Sequence, residues 1–254
     1  MKNKFQYLTY AGYYIITSKN YHILIDPYLD QNDRIQIKTS DFERIDLILV
    51  THGAFDHVGD TAKIAILHRC PVVCGDDVKM LLLDQGVAIE QIISTTWGLT
   101  VQVGEIKIKP IENHHRSCVT LSDGRIISSQ PLAFIVYLED GTRVYVSGDT
   151  ALFSDMKLQG ELYRPHIGLI NVATESNFDF VPHYLTGEMS PYEAALASNW
   201  LGLDVAVACH YTTLKNPDVG AFLKAIETMT ATGPSPTKAI ALDAGEWYEY
   251  SAKE

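Results

Sequence analysis

The chain has 254 residues, 46% of them hydrophobic and 20% charged, which is the usage of a folded globular protein long enough to bury a sizeable core. Its 31 acidic against 20 basic residues leave a formal net charge of −11. Such a balance repels phosphate backbones and anionic lipid, and so counts against nucleic acid and membranes as partners. The opening MKNKFQYLTYAGYY lacks an apolar core of signal-peptide length, and no later apolar run approaches the roughly 20 residues needed to span a bilayer. Of the four cysteines, Cys70 and Cys74 have no second pair with which to form a zinc ribbon. All four, with Cys118 and Cys209, read as buried free thiols, as expected in a reducing cytoplasm.

In chain order, residues 5–10, 12–17 and 22–26 are rich in aromatic and β-branched side chains and read as strands. Residues 45–51 form a nearly continuous apolar run, the pattern of a strand covered on both faces. A helix is expected over 61–68, with Ile64 and Leu67 on one face, and another over 78–85, capped by Asp76 or Asp77 and ended by Gly86. Strands are expected at 104–111, 134–138 and 143–147, the last two flanking a Glu139-Asp140-Gly141 turn, and at 167–172. Ser190-Pro191-Tyr192-Glu193 sets a capping serine, a proline at the first helical position and a reciprocal glutamate in order, which predicts a helix to about Leu201. A strand over 205–210, a helix over 218–230 and strands at 239–242 and 247–250 close the chain. With no linker, charge block or repeat, residues 1–254 are expected to form one domain. Strands in both halves, each half with its own helices, point to two sheets packed face to face with helices outside.

Chemistry concentrates in Thr51-His52-Gly53-Ala54-Phe55-Asp56-His57, where a buried strand ends and two imidazoles and a carboxylate follow within six residues. These are the usual donors for zinc, manganese or iron, and a loop leaving a rigid strand can aim several at one point. Three further predicted strands end on such residues: Glu112-Asn113-His114-His115, Gly148-Asp149-Thr150 and Cys209-His210-Tyr211. One histidine at a strand end is ordinary, but four ligand-bearing strand ends read as one assembled site.

Taken with Leu24-Ile25-Asp26-Pro27, Asp155-Met156-Lys157-Leu158 and Met189-Ser190-Pro191-Tyr192-Glu193-Ala194-Ala195, these segments resemble the metallo-β-lactamase superfamily. Within it they resemble the branch of uncharacterised metal-dependent hydrolases and L-ascorbate-6-phosphate lactonases. The resemblance implies an α/β fold, an αββα sandwich of two mixed sheets with helices on the outer faces. It implies metal ligands at His52, Asp56, His57, His115, Asp149 and His210, with His114 the alternative to His115. It also implies hydrolysis by a metal-bound hydroxide, with Asp56 and His57 catalytic and zinc or manganese as the cofactor, on a lactone, carbonyl ester or sugar-phosphate-type substrate. A small anionic substrate is compatible with the acidic surface, because a bound metal ion dominates the local field. Arg116, Tyr211 and Thr212 neighbour the ligands and are candidate substrate contacts, as is His183.

One departure stands out. Ala54 occupies the place of the second histidine of the family signature and has no donor atom, so one metal position is short of a ligand and a single tight ion is expected. Against the branch, residues 174–188 read as an insertion carrying His183, Tyr184 and Glu188; His183 or Glu188 could replace the missing donor, although surface-loop positions are the default expectation. Ala54 also leaves open a degenerate member that binds metal or ligand without turnover, and the fold admits a mononuclear-metal oxidoreductase.

Overall fold

The computed structural model of the chain describes residues 1–172, 188–232 and 236–251. The first half supplies β1 (Asn3–Tyr7), β2 (Tyr13–Ile16), β3 (His22–Ile25), β4 (Leu47–Leu49), α1 (Phe55–Val58), α2 (Thr61–His68), β5 (Val72–Cys74), α3 (Asp76–Asp84) and β6 (Ile92–Ser94). The second supplies β7 (Val101–Val103), β8 (Ile106–Ile111), β9 (Ser117–Thr120), β10 (Ile126–Ser129), β11 (Ala133–Tyr137), β12 (Arg143–Val146), α4 (Met156–Tyr163), β13 (Ile167–Asn171), α5 (Pro191–Trp200), β14 (Val205–Cys209), α6 (Pro217–Thr232), β15 (Lys238–Ile240) and β16 (Trp247–Tyr250). Two seven-stranded sheets result, in the orders β16-β1-β2-β3-β4-β5-β6 and β15-β14-β13-β12-β11-β8-β7, with β9 and β10 as a separate hairpin. Both are mixed. The first is parallel from β3 to β6, the second from β12 to β15, and the remaining neighbours are antiparallel.

Strand periodicity explains the layering. Successive side chains of a strand point to opposite faces, so a strand covered on both sides must be apolar throughout. On β3, Ile23 and Ile25 enter the core between the sheets while Leu24 faces outward; on β4, Leu47 and Leu49 face inward and Ile48 outward. The outward residues meet Val58, Ile64, Val78 and Leu82 from α1, α2 and α3. Helices α4, α5 and α6 cover the other sheet, α5 packing on both α6 and β13. This is the four-layer αββα arrangement expected from the sequence.

The helix over 61–68 has the expected limits, yet Leu67 is 59% exposed and the buried residues are Thr61, Ile64 and Ala65. The next helix begins at Asp76 with Gly75, not an aspartate, as its cap. The Ser190 capping box forms as expected: Ser190 Oγ accepts from the Glu193 N–H at 3.4 Å and Glu193 Oε2 accepts from the Ser190 N–H at 2.9 Å.

At one edge of the sandwich the sheets are tied by tyrosines. The hydroxyl of Tyr13, on β2, donates across the core to the Ala208 carbonyl of β14 at 2.9 Å, and that of Tyr7, on β1, donates to the Tyr211 carbonyl. The His210 N–H donates to the Tyr10 carbonyl at 2.6 Å, and His210 is held at a left-handed φ of 68°. The end of β14 is therefore fixed against the first sheet. Replacing Tyr13 by Phe removes one buried hydrogen bond while keeping the ring, and is expected to lower unfolding stability by about 1 kcal/mol, measured by urea denaturation.

Candidate metal centre

The donor-bearing loops all leave strands at this same edge. Beyond β4, Thr51 and His52 are buried, and the one-turn helix α1 carries Asp56 and His57. Gly59 ends that turn at φ 38°, where a Cβ would lie 2.3 Å from the Pro27 carbonyl oxygen, so only glycine lets α1 close onto the exit of β3. Gly148 does the same for the other sheet. At φ 55°, with Thr51 side-chain atoms from 2.9 Å of any Cβ, it brings Asp149 over the first sheet.

Asp149 is the hub. Its Oδ2 lies 3.2 Å from His57 Nε2, 3.1 Å from His210 Nε2 and 4.0 Å from His115 Nε2. Asp56 Oδ2 is 3.6 Å from His210 Nε2 and 3.9 Å from His57 Nε2. The imidazoles follow one another as His115, His52, His57 and His210, with neighbouring ring centroids 4.9, 4.0 and 5.9 Å apart. Donor atoms of three triads, His52–His57–Asp149, Asp56–His57–His210 and Asp149–Glu188–His210, each lie within 4.8 Å of one another.

The electrostatics have the form of a cation site. Burial pushes the Asp149 carboxyl up, but the facing His210 and His57 more than reverse this and hold it well below the usual carboxylate range. Burial likewise disfavours charge on His57, yet Asp149 and Asp26 raise it well above an ordinary imidazole, and His210 is raised mainly by Asp149. His52 is held well below by burial and by the neighbouring His57. Among the described residues, every ion pair made by Asp26, Asp56 and Asp149 is with a histidine. Among the described residues His52 Nε2 and Asp149 Oδ1 find no hydrogen-bond partner, an arrangement costing about 1–3 kcal/mol per buried group unless something else binds there. Imidazole nitrogens and carboxylate oxygens converging on such orphaned atoms fit a divalent metal ion.

Six of the expected ligands, His52, Asp56, His57, His115, Asp149 and His210, thus come together. His114 does not: its side chain is 46% exposed, stacks on Phe153 with centroids 4.2 Å apart and pairs with Glu112. Tyr211 also departs from expectation, since it is buried with its hydroxyl donating to the Leu242 carbonyl at 2.7 Å, a core role that removes it from the substrate face. Arg116 is exposed and Thr212 half-buried. His183 lies outside the described residues. Ala54, cap of α1, offers no donor.

Asp26 and Asp77 were not read from sequence as supports of the site. Asp26, fully buried at the end of β3 and at φ 45°, accepts from the Thr51 N–H at 2.8 Å, the Thr51 hydroxyl at 2.7 Å and His57 Nδ1 at 2.7 Å. It thereby presents His57 Nε2 to Asp149, the outer support that orients a metal-binding histidine. Its signal was a carboxylate closing an apolar strand. Ser117 and Asp77 form a second support. The Gly53 N–H donates to Ser117 Oγ at 3.0 Å, Ser117 Oγ donates to Asp77 Oδ2, and Ser129 Oγ donates to Asp77 Oδ1 at 2.6 Å. This buried relay joins the His52 loop to the strand that follows His115. Glu188, a surface position by default expectation, is 6% exposed with Oε1 4.0 Å from His210 Nδ1. Burial pushes its carboxyl up to about 7.

Fold and donor set together define a metal-dependent hydrolase of the metallo-β-lactamase fold. The chain belongs to the β-lactamase superfamily, whose domain model matches residues 21–211. It is 31% identical over 251 residues to a UPF0173 metal-dependent hydrolase of Methanobrevibacter smithii, covering 97% of this chain and 96% of that one. A UPF0173 metal-dependent hydrolase of Rubrobacter xylanophilus is 35% identical over 208 residues, covering 82% and 81%. Among solved structures, Igni18, a metallo hydrolase of Ignicoccus hospitalis, superposes with a TM-score of 0.77 at 23% identity and full coverage of both chains.

Removing the outer support should weaken the centre without dismantling it. Asp26→Asn keeps the shape but loses the charge behind His57, and metal affinity in chelator competition should fall roughly 10–100-fold. Ser117→Ala cuts the relay at its middle. Metal affinity should fall in the same assay, and unchanged affinity alongside a lowered melting temperature would assign the relay to stability alone.

Proposed function

We propose that this chain hydrolyses a small carbonyl substrate, a lactone or ester, with zinc or manganese held by His57, Asp149 and His210 and with Asp56 as the catalytic base. The observation that carries this reading is the convergence of His57 and His210 on Asp149 with Asp56 alongside. A bound ion supplies Lewis acidity, polarising the scissile carbonyl and acidifying water near neutral pH. The side chain of Asp56 is 14% exposed, against 5% for Asp149 and none for Asp26, which makes it the carboxylate placed to take a proton from an incoming water. Asp149 and Asp26 are occupied in orienting histidines.

A cavity of about 420 Å³ adjoins the ligand loop, with Gly53, Ala54 and Phe55 in its wall and Tyr28, Leu81 and Val119 around it. Among the described residues no lysine, arginine or histidine lines it. Its single charged residue, Asp60, spends a carboxylate oxygen on the Leu29 and Asp30 N–H groups at 2.8 and 2.9 Å. A substrate group seated there is therefore uncharged, and an anionic group would have to reach the exposed Arg116, with Thr212 beside His210. This weighs a neutral lactone or ester above a sugar phosphate. Residence in the cytoplasm and a small-molecule partner belong to the same reading; among the described residues no helix is long and apolar enough to cross a membrane.

The test is a panel of neutral lactones and esters with phosphorylated analogues, assayed with manganese- and zinc-loaded protein. Asp56→Asn should lower kcat of the metal-loaded enzyme by roughly 10²–10⁴-fold with metal affinity falling less than in Asp149→Asn, which should lose the metal. Higher kcat/KM on the phosphorylated members would reverse the substrate assignment. Ala54 supports a second reading, a binding protein without turnover, which predicts tight metal but no hydrolysis across the panel.

A further inference from the structure

Ala54 takes a donor from the His52–His115 end of the row of imidazoles. At the other end, beside His210, the structure adds one. Glu188 directly precedes the Met189-Ser190 entry to α5, and the Ser190 capping box fixes where that helix starts. Its side chain is 2% exposed, and a carboxylate oxygen lies within 4.8 Å of donor atoms on both Asp149 and His210. Asp149 Oδ1, on another member of that triad, is buried without a hydrogen-bond partner among the described residues. A glutamate sequestered with a histidine and with an aspartate that carries an orphaned oxygen is a donor set that has gained a member.

We propose that Glu188 is a metal-binding carboxylate of this chain, so that its one tightly held ion sits at the His210 end among Asp56, His57, Asp149, Glu188 and His210. The proposal rests on the metal-centre reading above and adds its composition. Three carboxylates with two imidazoles form a harder set than a histidine-rich site, and carboxylate oxygens favour manganese relative to zinc more than imidazole does. Zinc still binds in absolute terms, because intrinsic affinity rises along the first-row series. What Glu188 changes is the ratio. Ala54 and Glu188 then act in one direction, one emptying the imidazole-rich end and the other enriching the carboxylate-rich end.

The experiment compares the full-length protein with Glu188→Gln, Glu188→Asp and Asp149→Asn. Manganese binding is followed by the EPR signal of the free ion, zinc binding by chelator competition, and folding of each metal-free variant by circular dichroism. Glu188→Gln is isosteric but lacks the charge. It should weaken manganese by at least about tenfold and zinc by less, with Glu188→Asp recovering part of the loss. Asp149→Asn should weaken both. Loss of binding in Asp149→Asn with manganese affinity within about twofold of the unmodified protein in Glu188→Gln would overturn the role of Glu188 and leave the centre standing. Unchanged binding in both would overturn the centre itself. Two equally tight ions in the unmodified protein would overturn the single-site arrangement.

Discussion

A buried carboxylate at the end of β3 governs much of what this edge of the molecule can do. Asp26 accepts hydrogen bonds from the backbone and the hydroxyl of Thr51, and so locks the exits of two adjacent parallel strands together. The oxygen that accepts the Thr51 hydroxyl, Oδ2, also holds His57 Nδ1. The left-handed backbone at Asp26, uncommon for a residue with a side chain, is affordable because three hydrogen bonds fix it. Without this lock the loop from Thr51 to Gly59 would lose its tie to the first sheet and lean on the packing of a single helical turn and the Gly53–Ser117 hydrogen bond. Donors spaced over six residues would then have no common target.

The second sheet contributes by a different device. Asp149 and His210 both follow buried strands of that sheet, and each turns through a left-handed backbone, at Gly148 and at His210 itself. Tight turns at strand exits make donor positions insensitive to longer loops elsewhere. The order of imidazoles is thus set by strand order: β4 exits next to β3, and β14 exits next to β13 and faces the first sheet through Tyr7 and Tyr13.

Much of this was legible in the sequence, for identifiable reasons. Strands covered on both faces announce themselves as apolar runs, so β4, β13 and β14 were found, and the donors after them followed from position. The three-residue strands β5, β6 and β7 were not, because so short a segment carries no period. The helix α4 sits in a stretch recognised only as part of a family pattern. Ligand atoms could be read, but their support could not. Asp77 and Ser117 are 40 residues apart, and only the folded chain brings them together. Of His115 and its alternative His114, the structure leaves the His114 ring exposed and puts His115 Nε2 4.0 Å from Asp149, a difference that neighbouring residues in sequence could not carry. Glu188 stood only as a possible replacement donor in a presumed surface loop, because nothing in the residues beside it signals that it is buried.

The donors divide between the sheets: His52, Asp56 and His57 ride on the first, His115, Asp149 and His210 on the second. An ion gripping both would therefore be a non-covalent staple between two layers that also meet through apolar contact and scattered hydrogen bonds. Its effect on unfolding follows mass action, with an ion at a thousand times its dissociation constant adding about 4.1 kcal/mol if it ignores the unfolded chain. The increment is of the same order as a whole disulfide. Cellular metal supply then sets not only how many molecules are active but how long each survives, and the metal-starved protein would be the first to be cleared by proteolysis.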